Sequence, residues 1–198
     1  MDHFSALPVQ TPPQALLPLA RAEAHVELTD PASAVFTDLR VAPGVVVPTT
    51  EPLEETRRLM QLAGVRMAFV VNAGEDVMGM VTLADLQGER PAQAARVRGV
   101  PPRDLTALDV MTAVGHWSAI DAAHLARAQV GHVVETLRAT GQRYLVVVER
   151  IVDDPQLNRA HWVIRGLFSA NRVERALGRP IAEELRSKSF AELAAALS

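Results

Sequence analysis

A hydroxyl and a carboxylate stand three residues apart in the stretch from Gly79 to Leu86 (GMVTLADL). The apolar run from Val77 to Val81 has the length of a strand, and Thr82 stands where that strand would give way to a helix. Asp85 would then lie over the same first helical turn as Thr82. Free amides and the helix dipole attract phosphate there, while a carboxylate accepts hydrogen bonds from a sugar diol. The pair therefore fits a hydroxylated, phosphorylated ligand.

The same two residues have a second interpretation. Thr-x-x-Asp before an apolar helical run is also a capping box, whose only task is to satisfy backbone amides at the start of a helix. Both interpretations stay open for Thr82 and Asp85 on this stretch alone.

Few other residues suggest chemistry. Of the six histidines, His124 and His132 are eight residues apart, which is two helical turns and too far for one metal ion without outside ligands. The chain has no glycine-rich phosphate loop, nucleophile elbow or His-Glu-x-x-His motif, and its acid pairs Glu54-Glu55 and Asp153-Asp154 lack an acid–base partner. We expect no catalytic residue and no metal site, and hence no enzyme.

Composition limits the class of protein. The 198 residues suffice for one ordinary domain or two small ones, and with 48% hydrophobic but only 4% aromatic residues the core must consist of Val, Leu, Ala and Met. The absence of cysteine excludes disulfides, thiolate metal sites and a cysteine nucleophile. A net charge of −3 without a long basic run argues against a nucleic-acid partner. No signal peptide or membrane span is evident, so we expect a cytoplasmic protein without a membrane partner.

The stretch around Thr82 belongs to a unit of strand, helix, strand, strand and helix. Val45–Val47 predicts the first strand, and Thr50 is the expected N-cap of a helix that ends at Gly64. Met67–Val71 and Val77–Val81 predict two strands joined by a hairpin turn.

The same order returns further along the chain. Asp109–Thr112 predicts a short strand, Gly131–Thr140 a helix, Tyr144–Val148 and Val163–Phe168 two strands, and Ser169–Leu177 a helix. This second copy carries about ten additional residues between its paired strands, within positions 149–161. A tandem repeat is therefore predicted.

The remaining segments surround the two copies. Residues 1–34 are rich in proline and predict an extended arm with a short helix at Ala20–Val26. Repeat 1 and a turn-rich linker would occupy 35–100, and repeat 2 would occupy 101–180 with an added helix capped by Asp121. Residues 181–198 predict an amphipathic helical tail.

The ordered pattern resembles a tandem pair of cystathionine-β-synthase (CBS) domains over residues 35–180. The strand Met67–Val71, the run Gly79–Thr82 with Asp85, and the aligned second copy with Asp109–Thr112 carry this resemblance. It implies an α+β fold in which two βαββα repeats pack as a pseudo-symmetric pair. It also implies a stand-alone regulatory module that binds adenosine nucleotides in clefts between the copies, forms a homodimer and acts on a protein partner.

The resemblance also implies which residues bind the ligand. Thr82 and Asp85 would supply the hydroxyl and the ribose-binding carboxylate of a first site, whose other members would be Val46, Val47, Arg66, Met67 and Ala68. The second-site candidates are Thr112, Arg143, Tyr144, Ser169 and Arg172.

In the second site, Ser169 can replace the threonine, but Arg172 stands where the acid belongs. An arginine cannot accept a hydrogen bond from a sugar hydroxyl, although it can pair with phosphate. The second site is therefore inactive towards ribose, or assists with phosphate, or serves another anion.

Two functions remain open at this point. The first is a non-catalytic regulatory module with an adenine nucleotide of the AMP, ADP or ATP class as its ligand and with no required cofactor. The second is a dimerisation or assembly module that has no ligand.

Overall fold

A computed structural model describes the chain over residues 25–154 and 159–181. Residues 1–24 of the predicted arm (1–34), with most of its helix at Ala20–Val26, and residues 182–198 of the predicted tail (181–198) lie outside these residues. The described end of the arm lies on repeat 2, where the Val26 amide donates to the carbonyl of Ala176 at 3.0 Å.

The described residues form an α+β fold with two four-stranded sheets. The α-helices are α1 (Leu53–Leu62), α2 (Leu83–Gln87), α3 (Arg90–Arg98), α4 (Ala107–Val110), α5 (Val130–Thr140) and α6 (Ala170–Leu177). The strands are β1 (Thr37–Asp38), β2 (Val46–Pro48), β3 (Met67–Val71), β4 (Val77–Thr82), β5 (Thr112–Ala113), β6 (Ala119–Asp121), β7 (Tyr144–Asp154) and β8 (Arg159–Ser169). The first sheet has the order β2-β3-β4-β5, and the second has the order β1-β8-β7-β6.

The two repeats exchange their first strands. In the second sheet, β1 of repeat 1 pairs antiparallel with β8, so that Thr37 lies opposite Leu167. In the first sheet, β5 of repeat 2 pairs antiparallel with β4, so that Met80 lies opposite Thr112. Each sheet is therefore completed by the other repeat.

A glycine allows each of these exchanged strands to approach. A Cβ added at Gly79 would lie 2.6 Å from the carbonyl oxygen of Thr112, and one added at Gly166 would lie 2.2 Å from that of Thr37. Real Cβ atoms do not approach backbone so closely, so both positions require glycine.

The core has three parts. One cluster lies between the second sheet and helices α5 and α6, and another lies between the first sheet and its helices. The third lies between the sheets and consists of Met67, Phe69, Met80, Val146 and Leu167. This third cluster holds the two repeats together by burial of apolar surface.

The predicted cap at Thr50 is wrong. Helix α1 begins only after Pro52, whose backbone is extended and whose side chain makes no capping hydrogen bond. A residue before proline is disfavoured in helical conformation, so Glu51 cannot begin the helix and Thr50 cannot cap it. The predicted end at Gly64, which has a φ of 66°, is confirmed.

The strand predicted over Asp109–Thr112 is also wrong for its first three residues. Thr106 and Asp109 form a capping box that begins α4, and the Asp109 carboxylate accepts hydrogen bonds from the Thr106 amide at 2.8 Å and from Arg98 at 2.6 Å. Burial acts to raise the pKa of Asp109, but these hydrogen bonds outweigh it, and the pKa lies below its usual value.

The parallel strand of repeat 2 is instead β6, which pairs with Val146–Val148. The predicted linker is also more regular than its turn signals indicate, because it contains α3.

The strands Met67–Val71 and Val77–Thr82 and the helix after Ser169 match the predictions closely. The additional residues of repeat 2 lengthen β7 and β8, which are each 11 residues long, against 5 and 6 residues for β3 and β4.

Candidate functional site

A cleft of about 430 Å³ opens between the two repeats. Four segments build it: the turn between β1 and β2, the start of β3, the start of β7, and the junction of β8 with α6. Its apolar surface comes from Leu39, Val45, Met67, Phe69, Tyr144 and Leu167. Since both sheets contribute, the cleft depends on the relative position of the repeats.

The charged groups that line this cleft are cationic within the described residues. Arg66 from repeat 1 and Arg172 and Arg175 from α6 line it, and no carboxylate from residues 25–154 or 159–181 does so. Arg143 stands beside the cleft and donates to the side-chain oxygen of Asn171 at 2.5 Å. Such a surface favours an anion, and guanidinium groups are well shaped for phosphate.

Helix α6 begins at the cleft. The Ser169 hydroxyl accepts a hydrogen bond from the Arg172 amide at 3.3 Å and so caps the helix. Because Arg172 cannot accept a hydrogen bond in return, no capping box closes this helix start. The positive end of the helix dipole therefore adds to the charge of the arginines.

Tyr144 contributes a neutral polar group. Burial raises the pKa of its phenol, and the Asp85 carboxylate acts in the same direction, while nearby Arg143 and Arg66 act in the opposite direction. The phenol therefore stays protonated at neutral pH and can donate a hydrogen bond.

The structure combines residues that the sequence assigned to two different sites. Arg66 and Met67 were expected in the first site, and Tyr144, Ser169 and Arg172 in the second, yet all five line this one cleft. Strand exchange explains the combination, because it turns the start of β3 towards the start of α6.

Other predicted members have different places. Val47 and Ala68 are fully buried in the core of the first sheet, since alternation along their strands points their side chains inward, away from the cleft. Thr112 belongs to the first sheet, where its hydroxyl accepts a hydrogen bond from Arg90. Val46 is 57% exposed but does not line the cleft.

Thr82 and Asp85 form the capping box. One Asp85 oxygen accepts from the Thr82 amide at 2.9 Å and from the Thr82 hydroxyl at 2.7 Å, and the Thr82 hydroxyl accepts from the Asp85 amide at 3.1 Å. The other Asp85 oxygen lies 3.1 Å from Arg90, which also donates to the Val110 carbonyl at 3.0 Å. Both oxygens are thus engaged within the protein, and neither residue lines the cleft.

Sequence reasoning missed Arg175 and the turn at Pro43–Val45, which both line the cleft. A signal for Arg175 was present, because residues three apart on a helix, such as Arg172 and Arg175, share a face. The turn reaches the cleft only because Gly44 packs against the Phe69 ring, where a Cβ would lie at 3.1 Å. That contact is not visible in the sequence.

Residues 37–90 match the family model described as CBS domain. This segment is a CBS domain. It contains the first capping box, β2, β3, β4 and the helices between and after them. No curated protein matches the chain significantly.

Solved structures of CBS-domain proteins share the fold. A CBS-domain protein of unknown function from Thermoplasma acidophilum has a TM-score of 0.52 and 13% identity, with 78% of this chain and 77% of that chain covered. An uncharacterized conserved protein from Pyrococcus horikoshii has a TM-score of 0.52 and 18% identity, with 77% and 96% covered. CBSX2 in complex with AMP has a TM-score of 0.50 and 16% identity, with 74% and 95% covered. At these identities the likeness concerns the fold.

The described residues also bear on two other classes of site. Within residues 25–154 and 159–181, no cluster of three or more His, Asp or Glu side chains is arranged to hold a metal ion. None of the helices in this part of the chain has the length and apolarity needed to cross a bilayer.

Proposed function

We propose that this chain is a non-catalytic, cytoplasmic regulatory module that binds an adenosine nucleotide of the AMP, ADP or ATP class in the cleft between its repeats. The observation that carries the proposal is the joining of an apolar surface, three arginines and the start of α6 in one cleft. The fold shared with CBSX2, whose structure contains AMP, supports it.

Each part of a nucleotide has a counterpart in the cleft. The adenine packs on apolar groups such as Met67 and Tyr144, and the phosphates meet Arg172, Arg175 and the start of α6. Since no carboxylate of the described part of the chain lines the cleft, the ribose hydroxyls bond neutral groups such as Ser169 and Asn171.

Regulation follows from the two-repeat construction of the cleft. A ligand that contacts Arg66 on one repeat and Arg172 on the other binds one arrangement of the repeats more tightly than another. It thereby shifts the population of these arrangements, and a homodimer interface or a protein partner responds to the shift.

One observation favours a second candidate, an assembly module without a ligand. The Thr82–Asp85 pair is engaged in its own capping box and with Arg90, so helix capping alone is a sufficient role for these two side chains. Such a module would keep its fold and its dimer without any nucleotide.

Thermal and denaturant unfolding with AMP, ADP, ATP and S-adenosylmethionine separates the two candidates. A nucleotide at about 100 times its dissociation constant should stabilise the folded state by roughly 2.7 kcal/mol. We expect Arg172→Glu to abolish this gain. The matched control Arg179→Glu makes the same charge change at an exposed position outside the cleft and should retain it. If no nucleotide stabilises the wild type, the assembly module is the correct interpretation.

A further inference from the structure

Four arginines at the cleft have no carboxylate partner. Arg66, Arg172 and Arg175 line the cleft, and Arg143 stands beside it. None of the four forms an ion pair with a carboxylate in the described part of the chain, whereas arginines elsewhere on repeat 1, such as Arg98, do form such a pair. All four residues are exposed, so a ligand can reach their side chains. The cleft therefore carries a positive charge that the described residues leave uncompensated, as a site for an anion does.

These charges come from both repeats. Arg172 and Arg175 are three residues apart on α6 of repeat 2 and share a face of that helix, and Arg66 directly precedes β3 of repeat 1. In the proposed function, the phosphates of the nucleotide meet α6. Such a ligand leaves Arg66 without a counter-ion, and a second anionic group is needed on the side of repeat 1.

Tyr144 lies near the charges that such a second group would meet. Burial is the main cause that raises the pKa of its phenol, and the Asp85 carboxylate adds to this effect, while the charges of Arg143 and Arg66 lower the pKa. Both guanidinium groups are therefore within electrostatic reach of one side chain that lines the cleft. Arg66 and Arg143, from different repeats, can thus act on the same part of a ligand.

The helix start at the cleft differs from its counterpart in repeat 1 by the charge of one side chain. Thr82 is followed three residues later by Asp85, whereas Ser169 is followed three residues later by Arg172. A carboxylate accepts hydrogen bonds from free ribose hydroxyls, and an arginine binds a ribose that carries a phosphate; dinucleotide-binding domains distinguish their ligands by this exchange. Since no carboxylate of the described residues lines the cleft, its composition is that of a site for a phosphorylated ribose.

We propose that the cleft selects an adenosine nucleotide that carries a phosphate on the ribose 2′ or 3′ oxygen in addition to its 5′ phosphate. One phosphate group binds Arg172, Arg175 and the start of α6, and the other binds Arg66 beside Arg143. Each group carries a charge of about −1.5 to −2 at pH 7, so that two groups nearly balance four arginines, which the single phosphate of AMP does not. This ligand class rests on the proposed nucleotide binding and deepens it.

Calorimetric titration of the full chain with four nucleotides tests the proposal. ADP, adenosine 2′,5′-bisphosphate and adenosine 3′,5′-bisphosphate have the same base and the same number of phosphates in different positions, and ATP controls for total charge. We expect one of the bisphosphates to bind at least about tenfold more tightly than ADP and ATP, because only a bisphosphate reaches both groups of arginines with charge-assisted hydrogen bonds. The bisphosphate that binds more tightly identifies the ribose position.

Substitution of Arg66 tests the second phosphate group. Arg66→Gln should weaken binding of the preferred bisphosphate at least about tenfold and binding of ADP less than about threefold, since ADP has no second phosphate group for this residue. The fold should survive, because the backbone carbonyl of Arg66, and not its side chain, accepts the hydrogen bond from the Leu83 amide at 3.0 Å. Circular dichroism checks this.

Arg96→Gln is the matched control. It makes the same change at an exposed position of α3 that does not line the cleft, so both affinities should stay unchanged.

The opposite results overturn different statements. If ADP or ATP binds as tightly as both bisphosphates, the preference for a phosphorylated ribose is wrong and the proposed function stands. If Arg66→Gln weakens the binding of ADP and of the bisphosphate equally, Arg66 does not meet a second phosphate group, and the arrangement with two groups is wrong. If none of the four nucleotides binds, the proposed function fails together with its ligand class.

Discussion

The two repeats begin the helices after their glycine-containing strands in opposite ways. In repeat 1, Thr82 and Asp85 exchange hydrogen bonds, and Arg90 neutralises the remaining carboxylate oxygen. In repeat 2, Ser169 caps alone and Arg172 leaves the helix start open to the cleft.

One sequence pattern can indicate both helix capping and anion binding. In this protein the two properties belong to different repeats. The complete Thr-x-x-Asp pattern stabilises a helix, whereas the incomplete Ser-x-x-Arg pattern faces the space where an anion can bind. The more regular copy of the repeated motif is therefore engaged within the protein, and the copy that departs from it lines the candidate site.

The largest expected effect concerns a feature that both repeats share, the glycine at which the exchanged strand of the other repeat approaches. Gly166→Ala should destabilise the fold by about 3 kcal/mol or more, because its Cβ would meet backbone and the Phe36 ring. Gly79→Ala should cost about 1–3 kcal/mol, since the Met111 side chain can yield even though the Thr112 carbonyl cannot. Denaturant unfolding measures both.

Gly115→Ala is the control, because no atom lies within 4 Å of its added Cβ. It should change the unfolding free energy by less than about 1 kcal/mol. A smaller loss for Gly166→Ala than for Gly79→Ala would contradict the described closeness of the exchanged strands.

The second largest effect concerns the helix starts, at which the two repeats differ. Asp85→Ala removes the acceptor of two hydrogen bonds and the partner of Arg90, so we expect a loss of about 1–2 kcal/mol in the unfolding free energy. Ser169→Ala removes one longer hydrogen bond and should cost about 0.5–1 kcal/mol. Nucleotide binding should survive Asp85→Ala. If a folded Asp85→Ala variant lost nucleotide binding, the ligand site would have to include Asp85 of repeat 1.

The smallest effect is expected for a substitution that gives repeat 2 the capping pattern of repeat 1. Arg172→Asp supplies the missing acceptor for the Ser169 amide, so it should stabilise the fold by about 0.5–1 kcal/mol while weakening nucleotide binding. Arg172→Ala is the control that should weaken binding without the gain in stability. Equal stability of the two variants, measured by denaturant unfolding, would show that no second capping box forms.

Local patterns in the sequence were sufficient for much of the fold. The alternation of apolar residues in Met67–Val71 and the Thr82–Asp85 pattern located a strand and a helix start, because the forces that shape them act within a few residues. Thr106 and Asp109 carry the same Thr-x-x-Asp capping pattern and begin α4, where the apolar run predicts a strand.

The cleft could not be predicted in the same way. Its composition depends on β1 and β5 crossing between the sheets, and each of these strands has only two residues. So short a strand has no periodicity of its own, and its partner is chosen by tertiary packing. The sequence prediction therefore divided between two sites several residues that line one cleft in the structure.

The crossing of β1 also sets a limit on folding during synthesis. Thr37 can pair with Leu167 only after the ribosome has added 130 further residues. At about 5–20 residues per second, this interval lasts roughly 6–26 s. During that time β8 has not been completed, so the backbone of β1 has no strand partner.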